Sequence, residues 1–168
     1  MAAAGTSDTR QYLTFKLGEE VFALDVANVR EILEFIPITK VPRTPDFMTG
    51  VINLRGSVVP VTDMRLKFGM SKTEKTVNTC IIVVEVNMDG DTAVLGALVD
   101  SVQEVFEMEA EQIEPPPRLG LGMKVELIKG MGKRDNGFVI ILDIDKVFSM
   151  DEFDMARETG ARPLENAV

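Results

Sequence analysis

The chain has 168 residues, which is enough for one ordinary domain or two small ones. Hydrophobic residues make up 45% of the chain, so it carries enough apolar surface to fold and is not globally disordered. The net charge of −9 disfavours binding to nucleic acid and direct contact with, or insertion into, membranes, since such a surface repels phosphate backbones and anionic headgroups.

The N-terminal region predicts a short disordered segment followed by a β-hairpin. Residues 1–10 contain no apolar run typical of a signal peptide, and no later run approaches the length of a membrane span, so we expect a cytoplasmic protein. Apolar residues then alternate with polar ones on both sides of a turn at Gly18-Glu19-Glu20. The alternating residues are Leu13, Phe15, Leu17, Phe22, Leu24 and Val26.

After Val26 the spacing of apolar residues changes from two to three or four. Val26, Val29, Ile32 and Leu33 would share one side of a helix, which predicts a short helix after the hairpin. Prolines at 37, 42 and 45 end it and indicate an extended segment. The run Val58 to Val61 predicts another strand, and Pro60, which has no amide hydrogen, indicates an exposed edge or a bulge there.

The second half of the chain repeats the order of the first. Val102-Gln103-Glu104-Val105 aligns with Val29-Arg30-Glu31-Ile32 at an offset of 73 residues, and Gly130-Met131-Gly132 aligns with Gly50-Val51-Ile52 at an offset of 80. A duplication with short strands and many turns predicts two small barrels or sheets of about 70 residues each, intertwined within one domain over residues 11–150. The two halves are expected at roughly 11–75 and 76–150, packed on one another with a groove at their seam.

The end of the chain, residues 151–168, predicts a short acidic helix and a flexible tail. The helix is expected in the stretch that begins at Ser149 and Met150, and weak order is expected from Arg157 onward.

Catalytic chemistry has little support in this sequence. There is no histidine, which removes the commonest general base and metal ligand, and the single cysteine, Cys80, allows no intrachain disulfide. Asp89-Gly90 suits a two-residue hairpin turn better than a calcium loop. We therefore predict a protein that is not an enzyme and needs no cofactor or metal, although a hydrolase with paired carboxylates stays open as an alternative without positive support.

Three motifs occur in order along nearly the whole chain, from Gln11 to Ser149. They are Val29-Arg30-Glu31-Ile32-Leu33, the segment Gly50 to Val61 with Asn53-Leu54-Arg55-Gly56 and Val59-Pro60-Val61, and Gly96-Ala97-Leu98-Val99-Asp100-Ser101-Val102. Together they resemble the CheW family of bacterial chemotaxis coupling proteins.

The resemblance implies a mainly β fold, with two tandem five-stranded SH3-type barrels packed side by side and short helices. It also implies a non-enzymatic scaffold that links the cytoplasmic tips of methyl-accepting chemoreceptors to the histidine kinase CheA. Such a protein would be recruited to the inner membrane only through receptor arrays.

Receptor-binding residues follow from the same resemblance. Val29 matches a position on the receptor groove, with Val102 and Val105 on the same surface from the second half, whereas periodicity alone would place Val29 in the core. Glu31 and Arg55 match functional positions near this groove. We expect them to form an ion pair, so that each charge reversal impairs coupling and the double reversal restores part of it.

For kinase binding we expect an exposed strand surface around Val58 and Pro60, because similar barrels can pair through apolar strand faces. Two other functions stay open at this point. One is a coupling protein of a related chemosensory system that controls pilus motility or gene expression, and the other is a β protein that binds a small ligand in the groove.

Overall fold

The structure is a computed structural model that describes residues 9–116, 125–134 and 137–160. The strands are β1 (Thr9–Leu17), β2 (Glu20–Asp25), β3 (Val29–Glu34), β4 (Met48–Leu54), β5 (Ser57–Asp63), β6 (Cys80–Met88), β7 (Asp91–Val99), β8 (Ser101–Glu109), β9 (Ile113–Glu114), β10 (Ile128–Arg134) and β11 (Gly137–Leu142). The α-helices are α1 (Met64–Lys67), α2 (Ile144–Val147) and α3 (Met150–Gly160), and 3₁₀ turns lie at Val26–Asn28, Ala110–Gln112 and Val125–Leu127.

These strands form two sheets. One has six strands in the order β8-β1-β2-β11-β10-β9, and the other has five in the order β3-β6-β7-β5-β4. The predicted fold class, mainly β with two small barrels or sheets and short helices, is confirmed, with six strands in one sheet where the resemblance implied five. Within the described residues, no helix combines the length and the apolar character needed to cross a membrane.

Both hairpins that the sequence predicts are present. β1 pairs with β2 across Gly18, whose φ is 63°, and β6 pairs with β7 across Asp89 and Gly90, whose φ angles are 52° and 86°. Two consecutive positive φ angles match the twist of the flanking strands, which is why Asp-Gly suits this turn.

The duplication is visible in the strand register. Gly50 pairs with Val61 and Gly130 with Ile141, and in each hairpin the register shifts immediately before the glycine. A Cβ added to Gly50 would lie 2.1 Å from the Thr39 carbonyl oxygen, and one added to Gly130 would lie 2.3 Å from Ile113 Cγ2. Both glycines are therefore needed because a neighbouring segment crosses closely over the same point of each sheet.

The boundary expected near residue 75 does not separate the two sheets. It lies within the segment from β3 to β7, which builds the five-stranded sheet. The hairpin β1–β2 joins β8 to β11, and the hairpin β6–β7 joins β3 to β5. Each sheet thus combines a hairpin from one half with the later strands of the other. Parallel pairs close both arrangements, Phe22 with Ile140 and Val61 with Gly96.

The helix predicted from Val26 is wrong. Only Val26–Asn28 forms a 3₁₀ turn, capped by the Asp25 carboxylate, and strand β3 begins at Val29. Val29 pairs with Val84 and Ile32 pairs with Ile82. Between these pairs β3 has one residue more than β6, which is a β-bulge. The extra residue places Val29 and Ile32 on one face at a spacing of three, which imitates helical periodicity.

The largest hydrophobic core lies between the two sheets. It takes Phe15 and Phe22 from the six-stranded sheet, and Ile82 and Leu95 from the five-stranded one. Smaller clusters lie on the other side of each sheet, one around Tyr12 and Met108 and one around Ile52 and Ile81. The expectation that the two β units pack on one another is thereby met.

The C-terminal helix is present as α3, but the expectation of weak order from Arg157 is wrong for the helix itself. Arg157 lies in α3, and its Nη1 is 3.3 Å from Asp91 Oδ1. At the other end, Thr9 and Arg10 belong to β1 and are ordered. The rest of the expected disordered segments, residues 1–8 and 161–168, lie outside the described residues.

Candidate partner-binding surfaces

Strand β3 presents two apolar side chains toward the space between the sheets. Val29 is half-buried and packs against the inter-sheet core, and Ile32, on the same face, is 44% exposed. Ile32 was not among the residues predicted to bind a partner, although its alignment with Val105 was a usable signal.

Strand β8 repeats this arrangement from the other sheet. Val102 pairs with Phe15 and packs against the same core, and Val105 pairs with Leu13 and is 50% exposed. Val29 and Val102 therefore pack against one core from the two sheets, and Val105 lies on the same face of β8 as Val102. We call Val29, Ile32, Val102 and Val105 the seam.

The spacing of the seam residues on β8 is fixed by Thr14, which sequence reasoning missed. Its buried hydroxyl donates to the Glu104 carbonyl oxygen at 2.8 Å and accepts from the Glu104 amide at 3.1 Å. Thr14 thus satisfies both backbone groups of a residue at the bulge, where the regular ladder is interrupted.

Glu31 and Arg55 form the predicted ion pair. Arg55 Nη1 donates to Glu31 Oε1 at 3.3 Å, and Nη2 donates to Oε2. The pair joins β3, not a helix, to the tight turn between β4 and β5, where Arg55 and Gly56 have φ angles of 50° and 89°. The hydrogen bond from Arg55 lowers the pKa of Glu31, although some desolvation opposes it, and the bond to Glu31 raises the pKa of Arg55.

This ion pair does not face the seam. Glu31 is aligned with Val83, on the face of β3 opposite to Val29. There it lines an open cavity of about 560 Å³ together with Arg55, Val58, Val83, Val94 and Ala156. We call this the Arg55 cavity. The residues predicted for one receptor groove are thus divided between two surfaces.

The predicted kinase-binding residues have different environments. Val58 is half-buried and lines the Arg55 cavity, whereas Pro60 is buried. The expectation of an exposed surface at Pro60 is wrong because β5 lies between β4 and β7. β7 pairs with β5 only from Val61 onward, so the proline at position 60 interrupts no β5–β7 pairing.

The six-stranded sheet carries a counterpart of the Arg55 pair. Arg134 Nη2 lies 2.7 Å from Glu104 Oε2, and the Arg134 guanidinium lies 4.3 Å from the centre of the Phe106 ring. Glu104 is the residue 73 positions after Glu31, and Phe138, 80 positions after Val58, is 52% exposed. Each sheet therefore carries an ion pair beside an apolar residue, although Arg134 lies one position before the residue that aligns with Arg55.

The most buried carboxylates have structural partners. Asp63 accepts hydrogen bonds from the amide and hydroxyl of Thr73 as well as from the first turn of α1, and Glu152 lies 2.6 Å from Lys67 Nζ. In the part of the chain that the structure describes, no group of three or more acidic, cysteine or histidine side chains is placed to hold a metal ion. The surfaces described above are suited to protein contacts, with apolar centres and charged borders.

Comparisons with known proteins agree with the fold. A family model described as a CheW-like domain matches residues 11–152. The chain is 36% identical over 149 residues to a chemotaxis protein CheW from Klebsiella aerogenes, with 89% of this chain and 87% of that protein covered. It is 31% identical over 147 residues to a probable chemotaxis protein CheW from Rhizobium etli, with 88% and 92% covered.

A solved structure is similar over nearly the same span. The crystal structure of the scaffolding protein TtCheW from Thermoanaerobacter tengcongensis matches with a TM-score of 0.75 and 35% identity, covering 85% of this chain and 94% of that one. The family model, the relatives and the structure agree on the same region of the chain, and the chain belongs to the CheW-like domain family.

Proposed function

We propose that this protein is a non-catalytic scaffold of a chemotaxis system, which couples the cytoplasmic tips of chemoreceptors to the histidine kinase CheA. The observation that carries the proposal is the presence of two distinct surfaces on opposite faces of β3, the seam and the Arg55 cavity. A coupling protein has to hold two partners at once, and surfaces on opposite faces of one strand allow this without steric conflict.

The seam is the proposed receptor site. A helical receptor segment can seat apolar side chains between Val29 and Ile32 on one side and Val102 and Val105 on the other. Val29 and Val102 are half-buried against the inter-sheet core, and Ile32 and Val105 are exposed on the same strand faces, an arrangement typical of anchor positions in interfaces.

The Arg55 cavity is the proposed kinase site. Val58 supplies an apolar contact at its floor, and the pair of Glu31 and Arg55 supplies a polar border. Pro60 is buried in β5, so it would help to fix the course of this strand and would not itself contact the kinase.

The test uses two single substitutions and a matched control. Val29→Asp introduces a charge at the seam and should abolish binding to receptor-containing membranes while CheA binding is retained. Val58→Asp should abolish CheA binding while binding to receptor-containing membranes is retained. Val77→Asp is the control, because Val77 is fully exposed in the loop before β6 and belongs to neither surface.

Binding is measured by co-sedimentation with receptor-containing membranes and by pull-down of CheA, with circular dichroism to verify the fold of each variant. Normal receptor binding by a folded Val29→Asp protein would refute the seam as the receptor site. Loss of both partners with either folded variant would show that the two surfaces are not separate sites.

A further inference from the structure

Each side of the seam ends in an exposed glutamate. Glu34 follows Ile32 by two positions on β3, and Glu107 follows Val105 by two positions on β8. Residues two apart in a strand point to the same face, so both carboxylates stand beside the exposed apolar residues of the seam. The two glutamates are also 73 positions apart, the offset that relates Ile32 to Val105.

Neither glutamate has a cationic cross-strand neighbour within the described part of the chain. In the strand register Glu34 lies opposite Cys80 and Glu107 lies opposite Gln11, neither of which carries a positive charge. Among the other acidic residues of these strands, Glu31 binds Arg55 and Glu104 binds Arg134.

Two cations of β1 are directed elsewhere. Arg10, on β1 next to Gln11, is paired with Asp25 at 3.1 Å. Lys16 on β1 alternates with the core residues Phe15 and Leu17, and so it points to the opposite face of the strand from the seam. Ile32 on β3 and Val105 on β8 are therefore each followed on the same face by a glutamate with no cation opposite it in the strand register, on a chain of net charge −9.

We propose that Glu34 and Glu107 select a receptor segment in which lysine or arginine residues flank the apolar anchors. This inference rests on the proposed function of the seam and specifies the chemistry of the partner. An apolar helix face with basic residues on its two edges would place its cations beside the two carboxylates when its apolar side chains contact the seam. A segment with acidic flanks would be repelled at both borders.

Because the two glutamates are at the solvent-exposed border, their effect should be electrostatic and dependent on salt. Charges at the rim of an interface act mainly on the association rate, and their influence declines as the ionic strength rises. This behaviour separates them from Val29, whose replacement should weaken binding at every salt concentration.

The experiment compares full-length variants in binding to receptor-containing membranes over a range of sodium chloride concentrations. The double variant Glu34→Lys/Glu107→Lys should bind about tenfold more weakly at low salt, because repulsion replaces attraction at two positions of the rim. Glu34→Gln/Glu107→Gln should show a smaller decrease and a flatter salt dependence. The control Asp46→Lys/Glu74→Lys makes the same change in net charge at exposed loop positions and should bind like the unchanged protein.

The outcomes separate this inference from the proposed function. If the unchanged protein binds and Val29→Asp does not, but the Glu34 and Glu107 variants bind normally at low salt, the charge selection is refuted and the receptor site stands. Tighter binding by the lysine variant would also overturn the inference, because it would mean that the partner is acidic at its edges. If the unchanged protein does not bind the membranes at all, the proposed function itself fails.

Discussion

At the scale of single residues, the pair of Glu31 and Arg55 makes a prediction about titration. Arg55 donates hydrogen bonds to the Glu31 carboxylate and so lowers its pKa from the ordinary value of 4.5. A folded-state pKa below the unfolded value means that the pair adds stability above the unfolded pKa and loses it as the pH falls through the lowered one. Because both groups are exposed to solvent, this contribution to stability should be small.

Replacing Arg55 by glutamine should therefore raise the pKa of Glu31 toward its ordinary value. The measurement is an NMR titration of the glutamate side-chain carboxyl signals between about pH 2 and pH 7, a range chosen to bracket that value. Arg43→Gln serves as the control, because Arg43 is also a turn arginine with a positive φ but does not contact Glu31. An unchanged Glu31 titration in the Arg55→Gln protein would mean that the pair does not persist in solution.

The resemblance and the residue pattern predicted this pair, but not the surface to which it belongs. The resemblance assigned both Val29 and Glu31 to the neighbourhood of one receptor groove. In a strand, however, the bulge and the alternation of side chains send Val29 to the inter-sheet core and Glu31 to the Arg55 cavity. The side of a strand on which a residue lies depends on its register, and the register is not visible in the chain itself.

At the scale of elements, the attachment of α3 depends on a buried carboxylate. Glu152 is 1% exposed; it accepts hydrogen bonds from Thr62 Oγ1 at 2.5 Å and from Lys67 Nζ at 2.6 Å. Its side chain also accepts from the Ser149 amide, while Ser149 Oγ accepts from the Glu152 amide, a reciprocal capping box at the start of the helix. Phe153 and Ala156 then bury the same face of α3 in the inter-sheet core.

Removing only one partner of this ion pair should destabilise the protein strongly. Glu152→Ala leaves the largely buried Lys67 without a counter-charge, and Lys67→Met leaves the buried Glu152 without one. Each substitution should therefore lower the free energy of unfolding by about 3–5 kcal/mol. The double variant Glu152→Leu/Lys67→Met should lose less than the sum, because no buried charge is left unpaired. Urea unfolding measures all three, and strictly additive losses would contradict the coupling.

The helix predicted after Val26 shows what local patterns reveal about elements. Alternation correctly indicated the hairpins, since their strands pair with near neighbours in sequence. β3 was mistaken for a helix because its bulge puts Val29 and Ile32 on one face at a spacing of three. The same spacing recurs between Val102 and Val105 on β8, where the register also shifts. When β-branched residues are three apart in both copies of a repeat, a strand with a bulge explains the spacing better than a helix does.

At the scale of the whole molecule, the duplication could be predicted from the sequence. That each sheet takes its central hairpin from the other half of the chain could not. The offset of 80 residues reproduces the pairing of Gly50 with Val61 and of Gly130 with Ile141. Nothing in the periodicity of β1 or β6 indicates which half supplies its partners, because every strand of a repeated unit could pair with either copy. Two short connections lead from one sheet into the other, from Asp25 to Val29 and from Val99 to Ser101, and together they interlock the halves.

The hydrophobic core shared by the two sheets predicts that they unfold as one unit. Phe15 in the six-stranded sheet and Leu95 in the five-stranded sheet are both fully buried in the inter-sheet core. Phe15→Ala and Leu95→Ala should each lower the free energy of unfolding by about 2–5 kcal/mol and move the same single urea transition, with its slope unchanged. Val77→Ala, at a fully exposed position, should leave the transition in place.

Far-ultraviolet circular dichroism and hydrogen exchange follow the two sheets together. If the sheets were independent domains, Phe15→Ala would lower protection only in β1, β2 and β8 to β11, and the urea curve would split into two steps. A single shared transition is expected instead, because the largest hydrophobic core lies between the two sheets and the unfolding of either sheet would expose it. A scaffold built in this way holds its seam and its Arg55 cavity in one fixed relation, since neither sheet can move without breaking the core that joins them.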